Sequence, residues 1–122
     1  MKTVAVIGAS PDRHKFGNKA LRAFRAAGYR AIPINPRHRL VEGEKAYPTV
    51  LDYPHEIDMA TVYVPPNIGA RVVESLAQKG IGEVWFNPGA DAPGVVARAR
   101  ALGIRPITGC SILGIGMSPA DF

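Results

Sequence analysis

The sequence predicts an α/β fold in which five strands alternate with helices in one open, mainly parallel sheet. Three observations carry that prediction. Short β-branched runs recur along the chain, a Pro/Gly/Asn-rich turn and a helix-periodic segment follow them, and glycine closes each helix shortly before the next strand. Parallel neighbours require such crossovers, and the crossovers are right-handed.

Taken in order, Thr3-Val4-Ala5-Val6-Ile7 is continuous and β-branched, as a strand covered on both faces should be. A helix from about Gly17 carries Leu21 and Phe24 toward a core and stops at Gly28, and Arg30–Ile34 forms the second strand. Residues 40–58 read as irregular, with Glu42, Glu44, Asp52, Glu56 and Asp58 as a solvated acidic surface. Met59–Val64 is the third strand. Its helix is expected to start at Asn67 as N-cap, to present Ile68, Val72 and Leu76, and to end at Gly80. Glu83–Phe86 is the fourth strand, with Trp85 and Phe86 in the core. Asp91 is the expected N-cap of the next helix, Val95, Val96, Ala99 and Leu102 face inward, and Gly103 leads into Ile104–Thr108. No linker or low-complexity tract divides the chain, so residues 1–122 are read as one Rossmann-like domain with helices on both faces of the sheet.

Composition narrows the function classes. At 122 residues there is room for one core but not for a second catalytic domain. A balance of 47% apolar and 20% charged residues excludes a disordered chain. The single cysteine excludes an intramolecular disulfide framework and a multi-cysteine zinc site, and fits a reducing, cytoplasmic compartment. The apolar run before Gly8 is too short for a signal peptide core or a membrane span. Charge is distributed unevenly. Residues 1–39 hold nine Lys/Arg against one acid, whereas the remainder is net acidic, so the first third of the chain favours an anion.

In an open α/β sheet, ligands sit beyond the carboxyl ends of the strands. Gly8 directly after a strand lets backbone N–H groups approach an anion, and a helix N-terminus follows, with Arg13, His14 and Lys15 adding full charge. The three-glycine dinucleotide fingerprint is absent. After the second strand an NAD site usually places an acid on the ribose, but here stand Asn35, Pro36, Arg37, His38 and Arg39. Basic residues at that place argue for a ribose bearing a phosphate, which NADP and coenzyme A both have. Against this stands the reading of a solvated basic loop. Cys110 follows the last strand. A lone cysteine is more often a buried, inert thiol, and the other reading is a thiol facing a ligand's own sulfur. No Ser/His/Asp arrangement, metal-ligand spacing or helix with paired carboxylates is present.

Five segments, in order and register, carry a family resemblance: Val6–Ser10, Pro33–Pro36, Val62–Pro66, Val84–Ala90 and Gly109–Ser111. Together they resemble the small stand-alone CoA-binding proteins, which are similar in turn to the N-terminal domain of the succinyl-CoA synthetase α subunit. The resemblance implies a Rossmann-like domain that binds CoA or acyl-CoA, often dimeric in crystals, with no established catalytic activity. It implies that Gly8, Ala9 and Ser10 hold the pyrophosphate and that Asn35 and Pro36 shape the adenosine end. Val64, Pro65 and Pro66 would form an apolar wall, and Phe86, Asn87 and Pro88 would line the channel toward the pantetheine arm. Where the synthetase has a phosphate-binding lysine after its proline, this chain has His38 between Arg37 and Arg39.

The expected function is therefore non-catalytic binding of CoA or acyl-CoA by a cytoplasmic sensor, carrier or regulatory module, as a homodimer or beside a separate acyl-CoA enzyme. Two alternatives use the same residues. An NADP-binding oxidoreductase fragment or subunit fits the basic loop but lacks a substrate acid or base. A basic nucleic-acid binding module rests on charge asymmetry alone, without interleaved aromatics.

Overall fold

The structure, a computed structural model, describes residues 1–122. Strand β1 (Thr3–Ile7) is buried along its whole length because helices cover both of its faces. It pairs in parallel with β2 (Arg30–Ile34) on one side and with β5 (Met59–Val62) on the other. Next come β6 (Glu83–Phe86) and β7 (Arg105–Thr108), giving a five-stranded parallel sheet of order β2-β1-β5-β6-β7. The strand order reverses between β1 and β5, and a crevice opens at such a switch point.

Alternation along the strands divides the core in two. Ala5, Ile7, Ile32, Ala60, Val62, Val84 and Phe86 pack against α2 (Pro66–Lys79) and α3 (Pro93–Ala101) through Val73, Leu76, Val95 and Ala99. On the opposite face, Val4, Val6, Ala31 and Met59 meet Leu21 and Phe24 of α1 (Phe16–Ala26) and Ile112 of the short α4 (Ser111–Gly114). Phe86 is fully buried as expected, whereas Trp85 is half-buried beneath α4, its ring pressed against Gly114.

The helix stops lie where glycine was expected. Gly28, Gly80 and Gly103 all have positive φ, and Tyr29 and Ile104 donate back to the carbonyls of Phe24 and Ala99. Two expected helix starts are corrected. Neither Asn67 nor Asp91 is an N-cap: α2 is capped by Pro65 with Pro66 at its first position, and α3 by Ala92 with Pro93 following. Proline is pre-set for the first helical turn and lacks the N–H that would otherwise need a cap. Asn67 falls inside that turn, and Asp91 accepts the Gly89 N–H through Oδ1. The strand expected to run to Val64 ends at Val62, and in α2 Val73 rather than Val72 is fully buried.

The stretch 40–58 is more ordered than an acidic surface. It contains a hairpin of β3 (Leu40–Val41) and β4 (Glu44–Lys45), followed by a 3-10 turn at Val50–Asp52. Four of its five acids have partners, Glu56 being the exception. Asp52 completes a capping box with Thr49, Asp58 accepts the Thr3 N–H at 2.7 Å, and Glu42 and Glu44 pair with Arg13 and Arg25 at 3.4 and 3.3 Å. No helix is long and apolar enough to cross a membrane.

Candidate functional site: a phosphate-seeking cleft at the switch point

The cleft lies beyond the carboxyl ends of β1, β2, β5 and β6 and encloses about 470 Å³, within the range of small-molecule sites. Its floor begins at Gly8, whose φ of 88° turns the chain sharply out of β1. A methyl group there would sit 3.0 Å from the Tyr63 carbonyl oxygen and Val64 Cγ1. Gly17 brings the first turn of α1 still closer, since a Cβ would lie 2.3 Å from the Gly8 carbonyl oxygen. The loop and the helix N-terminus are thus packed backbone on backbone.

That packing leaves donors free. The N–H groups of Ser10, Phe16 and Gly17 have no acceptor within the chain, and the first turn of α1 carries neither an acid nor a side-chain cap. Loose N–H groups, the helix dipole and the ammonium of Lys15 together favour an anion. The loop carbonyls, in contrast, are tied down by side chains. Asn35 Nδ2 donates to Ala9 O at 2.8 Å, Asn18 Nδ2 to Ser10 O at 2.8 Å, and Arg22 to Arg13 O at 2.9 Å. Asn35 also accepts the Arg37 N–H through Oδ1 at 2.9 Å, so one side chain links the first loop to the loop after β2.

Gly8, Ser10, Lys15, Asn35, Arg37, His38, Val64, Pro65 and Pro88, all expected from the sequence, line this one cleft. The other expected residues lie outside its lining. Ala9 is buried beneath the loop. Arg13 turns to Glu42, and Pro36 and Arg39 are exposed. Pro66 is exposed at the start of α2. Phe86 and Asn87 are buried below the floor, and Cys110 is half-buried against the core on the α1 side of the sheet.

Phe16, Gly17, Tyr63, Gly89 and Ala90 complete the lining; none of them was expected to hold a ligand, although Tyr63, Gly89 and Ala90 stand in segments that carry the family resemblance. The signal for Gly17 was its place one residue into a helix. Tyr63 was marked only by its place in the Val62–Pro66 segment, and read locally it was one strand residue among several. Beneath it runs a polar network. The Tyr63 hydroxyl lies 3.1 Å from Ser111 Oγ, which lies 2.7 Å from Thr61 Oγ1, and Asn87 donates to Thr61 Oγ1 and accepts the Ser111 N–H. Asn87 is therefore the buried clamp that joins β5, β6 and α4. Burial, chiefly, pushes the Tyr63 phenol above its usual range, against the lowering effect of its hydrogen bonds to Ser111 and Thr61.

A parallel sheet with a crevice at its switch point, lined by free N–H groups and basic side chains, defines a Rossmann-like nucleotide-binding domain. Residues 2–115 match the CoA binding domain family, and the chain belongs to it. The family resemblance carried by the five turn segments is thereby borne out, and CoA is the ligand class.

Curated relatives include the ADP-forming acetate–CoA ligase I of Archaeoglobus fulgidus, 35% identical over 77% of this chain and 14% of that protein. The α subunit of ADP-forming acetate–CoA ligase I of Pyrococcus furiosus is 33% identical over 98% of this chain and 29% of that subunit. The chain spans less than a third of the length of these relatives. Among solved structures, a hypothetical protein from Pyrococcus horikoshii OT3 superposes with a TM-score of 0.88 at 29% identity, covering 93% of this chain and 80% of that one. The apo form of the dinucleotide-forming acetyl-coenzyme A synthetase 1 of Ca. Korarchaeum cryptofilum superposes with a TM-score of 0.75 at 29% identity, covering 87% of this chain and 25% of that one.

Proposed function

We propose that this chain binds CoA or acyl-CoA in the switch-point cleft as a non-catalytic module that serves a separate enzyme. The observation that carries the reading is the meeting of Lys15, Arg37 and His38 with the free N–H groups of Ser10, Phe16 and Gly17 in one cleft. The diphosphate lies along the 8–17 loop, where N–H donors and Lys15 meet it. Arg37 and His38 take the 3′-phosphate, with Arg39 adding charge from the rim. Val64, Pro65 and Pro88 flank the pantetheine arm. The ligases to which the chain is similar support a partner working on acyl-CoA, and we place the protein in the cytoplasm as a homodimer.

Calorimetric titration of CoA and dephospho-CoA tests this reading. CoA binds more tightly than dephospho-CoA, and the Arg37→Ala/Arg39→Ala double variant loses about tenfold or more in CoA affinity, as expected when charge-assisted contacts are removed. That variant also shows a shallower salt dependence. Equal binding of CoA and dephospho-CoA by the unaltered protein would overturn the assignment of the basic loop.

A further inference from the structure

We infer that Asn18, oriented by Glu42 of the β3–β4 hairpin, is the positioning residue that presents the phosphate loop to its ligand; the inference rests on the binding reading above. An anion is attracted by N–H groups and repelled by carbonyl oxygens, so a phosphate loop works only if its carbonyls point elsewhere. Here the Ser10 carbonyl is drawn off by Asn18 Nδ2 at 2.8 Å, and the Ser10 N–H is left without an acceptor in the chain.

Asn18 is fully buried, and its amide has one orientation that satisfies its neighbours. Its Oδ1 accepts from Arg22 Nε at 2.7 Å, and its Nδ2 donates at 3.2 Å to a Glu42 carboxylate oxygen, which can only accept. The same Arg22 holds the Arg13 carbonyl. One buried amide thus connects two carbonyls of the loop, and a charged group on each side fixes which way it faces.

Glu42 is an odd residue for its place in the chain. It and Gly43 form a two-residue hairpin turn in which both have positive φ, 50° and 77°. Asn, Asp and Gly suit the first of these positions, whereas glutamate is disfavoured there. Its side chain is nonetheless engaged, with Asn18 and Arg13, and its carbonyl accepts from Arg25 at 3.0 Å. A residue poorly suited to its turn but well suited to its carboxylate's partners points to work done by the carboxylate.

The test separates positioning from folding. Glu42→Gly relaxes the turn and removes the carboxylate. Its unliganded melting temperature does not fall, yet its affinity for CoA and for dephospho-CoA drops by the same factor, roughly threefold to tenfold, the cost of about one hydrogen bond. Asn18→Ala produces a larger, equally parallel loss. The ratio of CoA to dephospho-CoA affinity stays at the value of the unaltered protein, since the 3′-phosphate contacts are untouched. Unchanged affinity in Glu42→Gly, or a loss matched by a fall in unliganded melting temperature, overturns the inference. Failure of the unaltered protein to bind CoA in the same series instead overturns the binding reading.

Discussion

At Gly17 a single methyl group decides how closely the helix can approach the loop. The nearest atom to an added Cβ is the backbone oxygen of Gly8, at 2.3 Å, and backbone cannot swing aside as the tip of a flexible side chain can. Gly17→Ala is therefore expected to cost about 1–3 kcal/mol of stability. It should also lower CoA affinity by about tenfold or more, because the free N–H groups move with the helix. Thermal denaturation and titration of the same sample check both effects. Tyr63 gives a pH-dependent prediction at the same scale. Its phenol titrates above its unfolded value of 10.0, so the folded state holds the proton more tightly than the unfolded state. The associated stability is complete below that value and is lost as pH rises through the folded pKa. Tyr63→Phe should remove this alkaline loss, read from denaturant midpoints between neutral pH and the onset of base denaturation.

Among the elements, α4 is short but consequential, because it seals Trp85 on the same face of the sheet that α1 covers. A Cβ at Gly114 would lie 2.5 Å from the indole ring, so Gly114→Ala must push α4 outward or rotate the indole. We expect a loss of about 1–3 kcal/mol and a red-shifted tryptophan emission, read cleanly because Trp85 is the one tryptophan in the chain. Strands and helix stops were legible in the sequence. Continuous β-branched runs and αL glycines are decided locally, as Thr3–Ile7 and Gly80 illustrate. Helix starts were less legible, because at α2 and α3 proline at the first position competes with a neighbouring capping residue and prevails. The β3–β4 hairpin was hidden for a different reason. Its strands are two residues each, and its acids find their partners across the fold on α1 and on the loop before it.

Taken as a whole, the molecule places its chemistry by topology. Residues from four separate turns, such as Lys15, Arg37, Val64 and Pro88, meet because their strands end at the same edge of the sheet. That convergence was foreseeable from strand order, but the side chains' directions were not: Arg13 is drawn to Glu42, and Asn87 is buried as a clamp. The outer strands are also protected. Arg105 and Gly109 donate inward, to the carbonyls of Gly82 just before β6 and of Phe86 at its end, which turns Pro106 to the free edge, and Tyr47 covers the edge of β2 by pairing with Pro33 and Asn35. A proline that offers no N–H blunts that edge against strand addition. The central claim is that this cleft selects a 3′-phosphorylated CoA, and native mass spectrometry tests it most directly. Protein purified without added ligand would be titrated with CoA, dephospho-CoA, NADP and NAD in competition. Selective retention of CoA is the predicted result, whereas retention of NADP in preference to CoA would contradict it.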